Sequence, residues 1–180
     1  RRVLFTGTPC QVAGLKKFLH KEYENLLTVD ILCHGVPSPR VFRNYLTYIG
    51  KGKKIVNFDF RDKSTGWKGY SVKYVYENGK IKRHSARLDE YMRAYLNHYM
   101  LRPSCHVCPA KAGKSGSDIT LGDLWGANQL PMIKDDDTGL SVVIVNTEKG
   151  EKNLNLPMLA NVETLDVSFV KRYNSAYYVS

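Results

Sequence analysis

The chain has 180 residues, of which 43% are hydrophobic and 24% are charged, and no apolar run approaches the ~20 residues that span a bilayer. This composition excludes a disordered, collagen-like or low-complexity protein. Its four scattered cysteines exclude a miniprotein held together by a disulfide framework. The net charge of +10 indicates an acidic partner, which could be nucleic acid, an anionic cofactor or an acidic protein.

The chain opens with two arginines and then an apolar stretch, without an initiating Met or a signal-peptide pattern. We therefore expect residues 1–180 to be a single domain excised from a longer chain. With no targeting or membrane signal in view, we also expect a cytoplasmic protein without membrane contact.

The first 33 residues predict a β-α-β unit. A short apolar strand covers residues 3–6, and a second strand covers residues 26–32. Between them, Thr8 is the predicted N-cap of a helix, Pro9 occupies its first position and Gln11 completes a capping box. The predicted apolar stripe of that helix consists of Val12, Leu15, Phe18 and Leu19. A right-handed crossover makes the two strands parallel neighbours.

The remaining pattern predicts an α/β fold with a mixed sheet, containing the N-terminal β-α-β unit and an antiparallel hairpin. Ser38-Pro39 begins a second helix, and Asn78-Gly79 predicts a type I′ turn between two strands. Further strands are predicted at residues 55–60, 119–121, 140–145 and 162–167, and further helices at residues 88–100 and 148–159.

The four cysteines carry the strongest functional signal. Cys10 lies just inside the predicted helix N-terminus, where main-chain N–H groups and the helix dipole favour a thiolate. Cys33 follows the second strand, and ligand sites gather at the carboxyl ends of parallel strands. The β-α-β unit can therefore carry both sulfurs to one edge. Cys105 and Cys108 form a C-x-x-C loop followed by Pro109, as in many cluster-binding loops.

Three interpretations of these cysteines stay open on the residues alone. An iron–sulfur cluster tolerates scattered ligands. A structural zinc ribbon usually has two C-x-x-C knuckles, and here only one is present. Unligated cysteines pack as small hydrophobic side chains. Four thiolates suit zinc and iron–sulfur alike.

Four segments around the cysteines resemble one known family. The chain resembles the C-terminal part of the coenzyme F420 hydrogenase/dehydrogenase beta-subunit family, and within it the bacterial variant most. The matching segments follow the family's order and are Gly7-Thr8-Pro9-Cys10-Gln11, Asp30-Ile31-Leu32-Cys33-His34-Gly35-Val36-Pro37-Ser38, Arg102-Pro103-Ser104-Cys105-His106-Val107-Cys108 and Ser117-Asp118-Ile119-Thr120-Leu121-Gly122-Asp123-Leu124-Trp125-Gly126.

This resemblance implies an iron–sulfur flavoprotein that passes electrons among a hydride carrier, FAD and a [4Fe-4S] cluster. The implied cluster ligands are Cys10, Cys33, Cys105 and Cys108, with zinc as a possible substitute in purified protein. The implied FAD-binding residues are Gly7, Thr8, Pro9, Gln11, Asp123, Trp125 and Gly126. No catalytic side chain is expected, because the cofactors carry the chemistry.

The run from residue 122 to residue 126 allows two interpretations. It is either a turn whose main chain approaches a flavin, with Trp125 against the ring, or a tight turn with a core Trp. Lys111, Gly113 and Lys114 similarly predict either a pyrophosphate cradle or a solvated loop.

A second hypothesis from another class is a zinc-stabilised basic binding module without redox activity. Residues 51–87 hold eleven Lys or Arg against three acidic residues, a net charge of +8. With a redox function, this region predicts docking of an acidic ferredoxin-like protein, or of an upstream ferredoxin-like domain of the same chain. Nucleic acid is disfavoured, because Tyr70, Tyr74 and Tyr76 alternate like core residues. The predicted exposed face of the hairpin carries Lys73 and Lys82.

Overall fold

Residues 1–154 and 162–178 are described by the computed structural model of the chain, and they form two units. The first unit contains Arg1–His34, His106–Lys134 and Leu140–Ser180. The second contains Gly35–Cys105 and Asp135–Gly139. None of the helices in the described part of the chain is long and apolar enough to cross a membrane.

The described helices and strands alternate up to β3 and then follow in groups of two or three of one kind. In chain order they are β1 (Val3–Thr6), α1 (Pro9–Leu19), β2 (Leu26–Ile31), α2 (Pro39–Gly50), β3 (Ile55–Asp62), β4 (Ser71–Tyr76), β5 (Ile81–Ser85), α3 (Glu90–Leu96), α4 (Pro103–His106), β6 (Ile119–Asp123), β7 (Ser141–Val145), α5 (Glu148–Asn153) and α6 (Val167–Tyr173).

The sheet of the first unit has the order β1-β2-β6-β7. β1 is parallel to β2 and β2 is parallel to β6, whereas β7 is antiparallel to β6. The mixed sheet and the N-terminal β-α-β unit are thus confirmed. Because three neighbouring strands run the same way, their carboxyl ends meet at one edge of this sheet, where α/β proteins usually bind ligands.

Helix α1 begins where the sequence predicts. The main-chain N–H of Thr8 donates to Gln11 Oε1 at 2.8 Å, and Pro9 is the first helical residue. The helix ends at His20, which adopts a left-handed φ of 56°. Val12 is completely buried, but Phe18 is 78% exposed, so its predicted place in the apolar stripe is wrong.

The second unit contains an antiparallel sheet of order β3-β4-β5 around an aromatic core. One face of β4 is buried through Val72, Tyr74 and Tyr76, together with Ala86 and Met92. Lys73 pairs with Arg83, whereas Lys82 pairs with Tyr74. Since paired residues share a face, Lys73 and Lys82 lie on opposite faces, and their predicted common exposed face is wrong.

The hairpin between β4 and β5 is confirmed, but its predicted type I′ turn is wrong. The main-chain N–H of Tyr76 donates to the carbonyl of Lys80, so three residues form the loop. Gly79 has a φ of 80°, whereas Asn78 does not have the positive φ that a type I′ turn requires. This matches a three-residue loop with glycine at the left-handed position rather than a two-residue turn.

Three further elements differ from the sequence prediction. α3 covers only Glu90–Leu96, because Asp89 caps its start and His98 adopts a φ of 67° soon after its end. The predicted strand at residues 162–167 is not formed over its described residues, and α6 begins at Val167 with Asp166 as its N-cap. The helix predicted at residues 148–159 is α5, Glu148–Asn153, and its predicted end from residue 155 onward lies outside the described residues.

Candidate functional site

Most of the predicted site residues follow three parallel strands of the first unit. The segment from Gly7 to Gln11 follows β1, Cys33 follows β2, and the run from Asp123 to Gly126 ends β6 and continues beyond it. The topology therefore assigns these segments to the carboxyl edge of a single sheet.

Cys10 is the second residue of α1 and is exposed. The Thr8 hydroxyl oxygen lies 3.2 Å from its sulfur and also donates to Gln11 Oε1 at 3.1 Å. Cys10 lies in the first turn of an eleven-residue helix, where the positive end of the helix dipole is located. The position thus favours negative charge on a sulfur ligand.

A small cleft beside the end of β2 brings three of the cysteine-bearing segments together. It is lined by Pro9, by Cys33 and by Ala110, which belong respectively to the start of α1, the end of β2 and the loop after Cys108. Its volume of about 20 Å³ holds about one water molecule. Within the first unit, the main chain beside Cys10, Cys33 and Cys108 therefore converges.

The side chain of Lys111 joins the C-x-x-C loop to Cys33. It is buried, and its ammonium donates to the carbonyl oxygen of Cys33 at 2.5 Å and to that of Ala176 at 2.9 Å. The solvated-loop alternative is wrong for Lys111, because the side chain is buried and its ammonium is bound to main-chain carbonyls of its own unit. The pyrophosphate cradle stays a prediction.

Cys105 belongs to the second unit and is the third residue of α4. Its sulfur accepts a hydrogen bond from the main-chain N–H of Val36 at 3.4 Å. Gly35, with a φ of 139°, allows this close approach: a Cβ there would lie 2.7 Å from a methyl group of Leu101. Such N–H···S bonds stabilise negative charge on a metal-bound sulfur.

The chemistry of the four cysteines fits an iron–sulfur cluster. None of these four described cysteines forms a disulfide bond, and soft thiolate donors suit such clusters. Among the residues that the structure describes, no group of three or more His, Cys, Asp or Glu side chains is arranged to hold a metal ion. The four-cysteine ligand set therefore stays a prediction.

The run from Gly122 to Gly126 is built into the core of the first unit. A Cβ on Gly122 would lie 2.5 Å from the Leu32 side chain, and one on Gly126 would lie 2.4 Å from the Tyr173 ring. Leu124 is buried in an apolar cluster, whereas Trp125 is 39% exposed. The core residue of this turn is thus Leu124 rather than Trp125.

The cleft beside Cys33 does not fit a flavin, because drug-sized ligands need ~300 Å³ or more. A larger cavity of about 430 Å³ lies beside the first residues of β1 and β2 and is lined by Arg2, Val3, Leu4, Glu24, Asn25, Leu27 and Asn153. It contains none of the predicted FAD-binding residues. The assignment of FAD to Gly7, Thr8, Pro9, Gln11, Asp123, Trp125 and Gly126 therefore stays a prediction.

A buried network of hydrogen bonds around Asp118 connects β2 with residues flanking β6 and β7 in the sheet whose carboxyl edge carries the candidate site. One carboxylate oxygen of Asp118 accepts the main-chain N–H and the hydroxyl of Thr28, each at 2.8 Å, and the other accepts the Thr147 hydroxyl. Burial raises the pKa of Asp118, but these hydrogen bonds outweigh it. With the nearby charge of Lys149, they leave the pKa below its usual value.

Sequence reasoning missed the roles of Lys111 and Asp118. Their partners lie 78 and 90 residues away along the chain, so no local pattern connects them. Asp118 does lie inside the segment that carries the family resemblance. Lys111 lies three residues beyond the C-x-x-C pair. The sequence signal that could have indicated its role was a basic residue this close to predicted metal ligands.

Comparison with known families agrees with the geometry. The family described as the C terminus of the coenzyme F420 hydrogenase/dehydrogenase beta subunit matches residues 1–166. No curated protein gives a significant match to the chain. The chain therefore belongs to this beta-subunit family, as its four segments predict.

Proposed function

We propose that this member of the coenzyme F420 hydrogenase/dehydrogenase beta-subunit family is the redox domain of an oxidoreductase that uses FAD and a [4Fe-4S] cluster. The proposed cluster ligands are Cys10, Cys33, Cys105 and Cys108. One observation carries the proposal: Pro9, Cys33 and Ala110 line a single cleft at the carboxyl edge of the first sheet. Four cysteines without a disulfide bond also suit a reducing, cytoplasmic compartment.

When bound, a flavin exchanges hydride and an iron–sulfur cluster takes up single electrons. The chain's own residues hold these groups and stabilise charge. The four thiolates would bind the iron, Cys10 lies in the first turn of α1, and the Val36 N–H donates to the Cys105 sulfur. In this proposal no side chain acts as a general acid or base.

The proposed flavin contact is the exposed indole of Trp125, since stacking on an aromatic face suits a planar ring. We expect Trp125→Ala to weaken FAD binding about tenfold, while Trp125→Phe, which keeps an aromatic face, stays within about threefold of wild type. Quenching of flavin fluorescence in the full-length protein measures both. Equal affinity in the wild type and in Trp125→Ala contradicts this contact.

Anaerobic reconstitution with iron and sulfide tests the proposed function. The expected result is a brown protein with broad absorption near ~400 nm and about four iron atoms per chain. Cys10→Ser and Cys33→Ser should lose most of this iron. A colourless wild-type protein that retains one zinc ion contradicts the proposal and supports the zinc-stabilised binding module.

The proposed electron partner is an acidic ferredoxin-like protein or domain that docks on the basic second unit. Lys80 and Lys82 are exposed, whereas Arg83 is already paired with Asp62. The docking variant is therefore Lys80→Glu with Lys82→Glu, and Lys17→Glu on the exposed side of α1 is its matched control. Opposite charges speed encounter at low salt and are screened as salt rises.

We expect the double variant to slow electron transfer from a reduced acidic ferredoxin about tenfold at low salt, with the difference vanishing at high salt. Stopped-flow rates over a salt series measure it. If the electron-transfer rate changes neither with salt nor with the double substitution, these edge lysines instead protect against sheet-to-sheet pairing.

A further inference from the structure

A buried positive charge lies at the main chain of a proposed cluster ligand. Lys111 is 8% exposed, and it sits in the loop three residues after Cys108. Burying an ammonium is costly unless acceptors compensate for the lost water. Two carbonyl oxygens do so, one from Cys33 at the end of β2 and one from Ala176 in the turn at residues 175–177.

A main-chain hydrogen bond also attaches this loop to the turn at residues 175–177. The N–H of Ala112 donates to the carbonyl of Tyr177 at 2.8 Å, beside the Lys111 contact to Ala176. The ammonium is therefore held in one place by the fold and stays beside Cys33. Such a fixed charge acts on a neighbouring redox group much more strongly than a mobile surface lysine does.

One carboxylate shares the same cleft. Asp30 is 2% exposed and accepts the Thr120 hydroxyl at 2.6 Å, and both residues line the cleft together with Lys111. Removing the ammonium leaves the negative charge of Asp30 without this cation in the cleft. The loss of the Lys111 charge and the remaining charge of Asp30 both make any further gain of negative charge at this edge less favourable.

We propose that Lys111 is a positioning residue for Cys33 that also raises the reduction potential of the cluster bound there. This inference rests on the proposed function. On reduction, one electron from a single-electron donor such as a reduced flavin enters the cluster. No bond forms or breaks, and Lys111 keeps its proton. The reduced cluster carries one more negative charge, which a fixed buried cation stabilises.

The test uses four variants of the reconstituted full-length protein. Lys111→Met removes the charge at similar length, Lys111→Gln removes it but keeps an N–H donor, and Lys111→Arg keeps the charge. Lys114→Met is the matched control, because Lys114 is an exposed lysine of the same loop. Iron and sulfide content is measured first, followed by an anaerobic redox titration monitored by electron paramagnetic resonance.

We expect the Met and Gln variants to show a reduced-to-oxidised ratio about tenfold lower than wild type at a fixed potential, which is about 59 mV for a one-electron couple. The Arg and Lys114→Met variants should stay within about twofold of wild type. Loss of the cluster from the Met and Gln variants alone, with retention in the Arg variant, also supports the role of the charge.

Two results overturn this inference and not the proposed function. The first is a Met variant that loads iron and titrates at the wild-type potential. The second is loss of the cluster from the Arg variant as well, which assigns Lys111 a role in packing shape alone. A wild-type protein that binds no cluster overturns the proposed function itself, before Lys111 is tested.

Discussion

The two sheets of this protein are stabilised by different physics. In the first unit, the interior between β2 and β6 is polar: Thr28, Asp118 and Asp30 are each at most 2% exposed and are hydrogen-bonded. In the second unit, Val72 and Tyr74 belong to an apolar and aromatic core. In the first unit, buried hydrogen bonds between β2 and β6 thus add to the apolar cluster around Leu124, whereas the buried face of β4 in the second unit depends on packing volume.

This contrast can be measured because each unit contains one of the two tryptophans. Trp125 belongs to the first unit and Trp67 to the second. A Trp67→Phe background reports unfolding of the first unit by fluorescence, and a Trp125→Phe background reports unfolding of the second. Urea midpoints in these two backgrounds measure the effect of each substitution below.

The largest expected effect is on the packing of the second unit. Tyr74 stacks on Phe58 with ring centroids 5.9 Å apart and meets Tyr76 edge-on. We expect Tyr74→Ala to cost about 3–5 kcal/mol in the Trp125→Phe background, because it leaves a large cavity. Tyr48→Ala is the control, since Tyr48 is 65% exposed. Equal urea midpoints for the two variants contradict an aromatic core.

The next effect is on the polar interior of the first unit. Asp118→Ala leaves the Thr28 and Thr147 donors without their acceptor and Lys149 without its nearby carboxylate. We expect a loss of about 3 kcal/mol in the Trp67→Phe background. Glu24→Ala, at an exposed carboxylate of the same unit, should change the midpoint little. If Asp118→Ala leaves the urea midpoint of the first unit unchanged, the network does not stabilise the sheet.

A smaller effect is expected where the turn after β6 meets α6. Gly126→Ala introduces a Cβ 2.4 Å from the Tyr173 ring at a φ of 81°, so we expect a cost of about 1–3 kcal/mol. Gly14→Ala is the matched control: nothing lies within 4 Å of its Cβ, and alanine favours a helix. The two variants should shift the first unit's midpoint in opposite directions, and a shared direction argues against strain at Gly126.

The smallest effect is on pH dependence. Burial raises the pKa of Asp118 but its hydrogen bonds lower it further, so its folded pKa lies below the unfolded value of ~3.9. Its contribution is therefore complete above that value and is lost as the pH falls through the folded pKa. We expect Asp118→Asn to reduce the loss of first-unit stability below about pH 4. Parallel pH profiles for the wild type and Asp118→Asn rule out this contribution.

The contrast between local and distant contacts also explains what the sequence could and could not predict. The start of α1 was predictable, because Thr8, Pro9 and Gln11 interact within one turn. The turn at Asn78-Gly79 was misassigned, because the pairing of β4 with β5 sets the loop length at three residues. The predicted helix at residues 88–100 was too long, and Leu88 and Tyr99, near its predicted ends, are exposed.

For the candidate site, the helix start that carries Cys10 and the strand end before Cys33 followed from local patterns, and the parallel pairing of β1 and β2 is confirmed. The roles of Lys111 and Gly126 could not follow from such patterns. Lys111 binds a carbonyl 78 residues away, and Gly126 is required by the distant Tyr173 ring. Contacts of this kind depend on the tertiary fold.

Cysteine alkylation in the full-length protein tests the central claim most directly. The protein is treated with a thiol reagent under anaerobic conditions, with and without its reconstituted cluster, and each modified cysteine is quantified by mass spectrometry. A thiolate bound to iron is not free to react, so we predict protection of Cys10, Cys33, Cys105 and Cys108 together in the loaded protein and reaction of all four after the iron is chelated. If any one of the four reacts equally fast with and without the cluster, it is not a ligand, and the four-cysteine centre is contradicted.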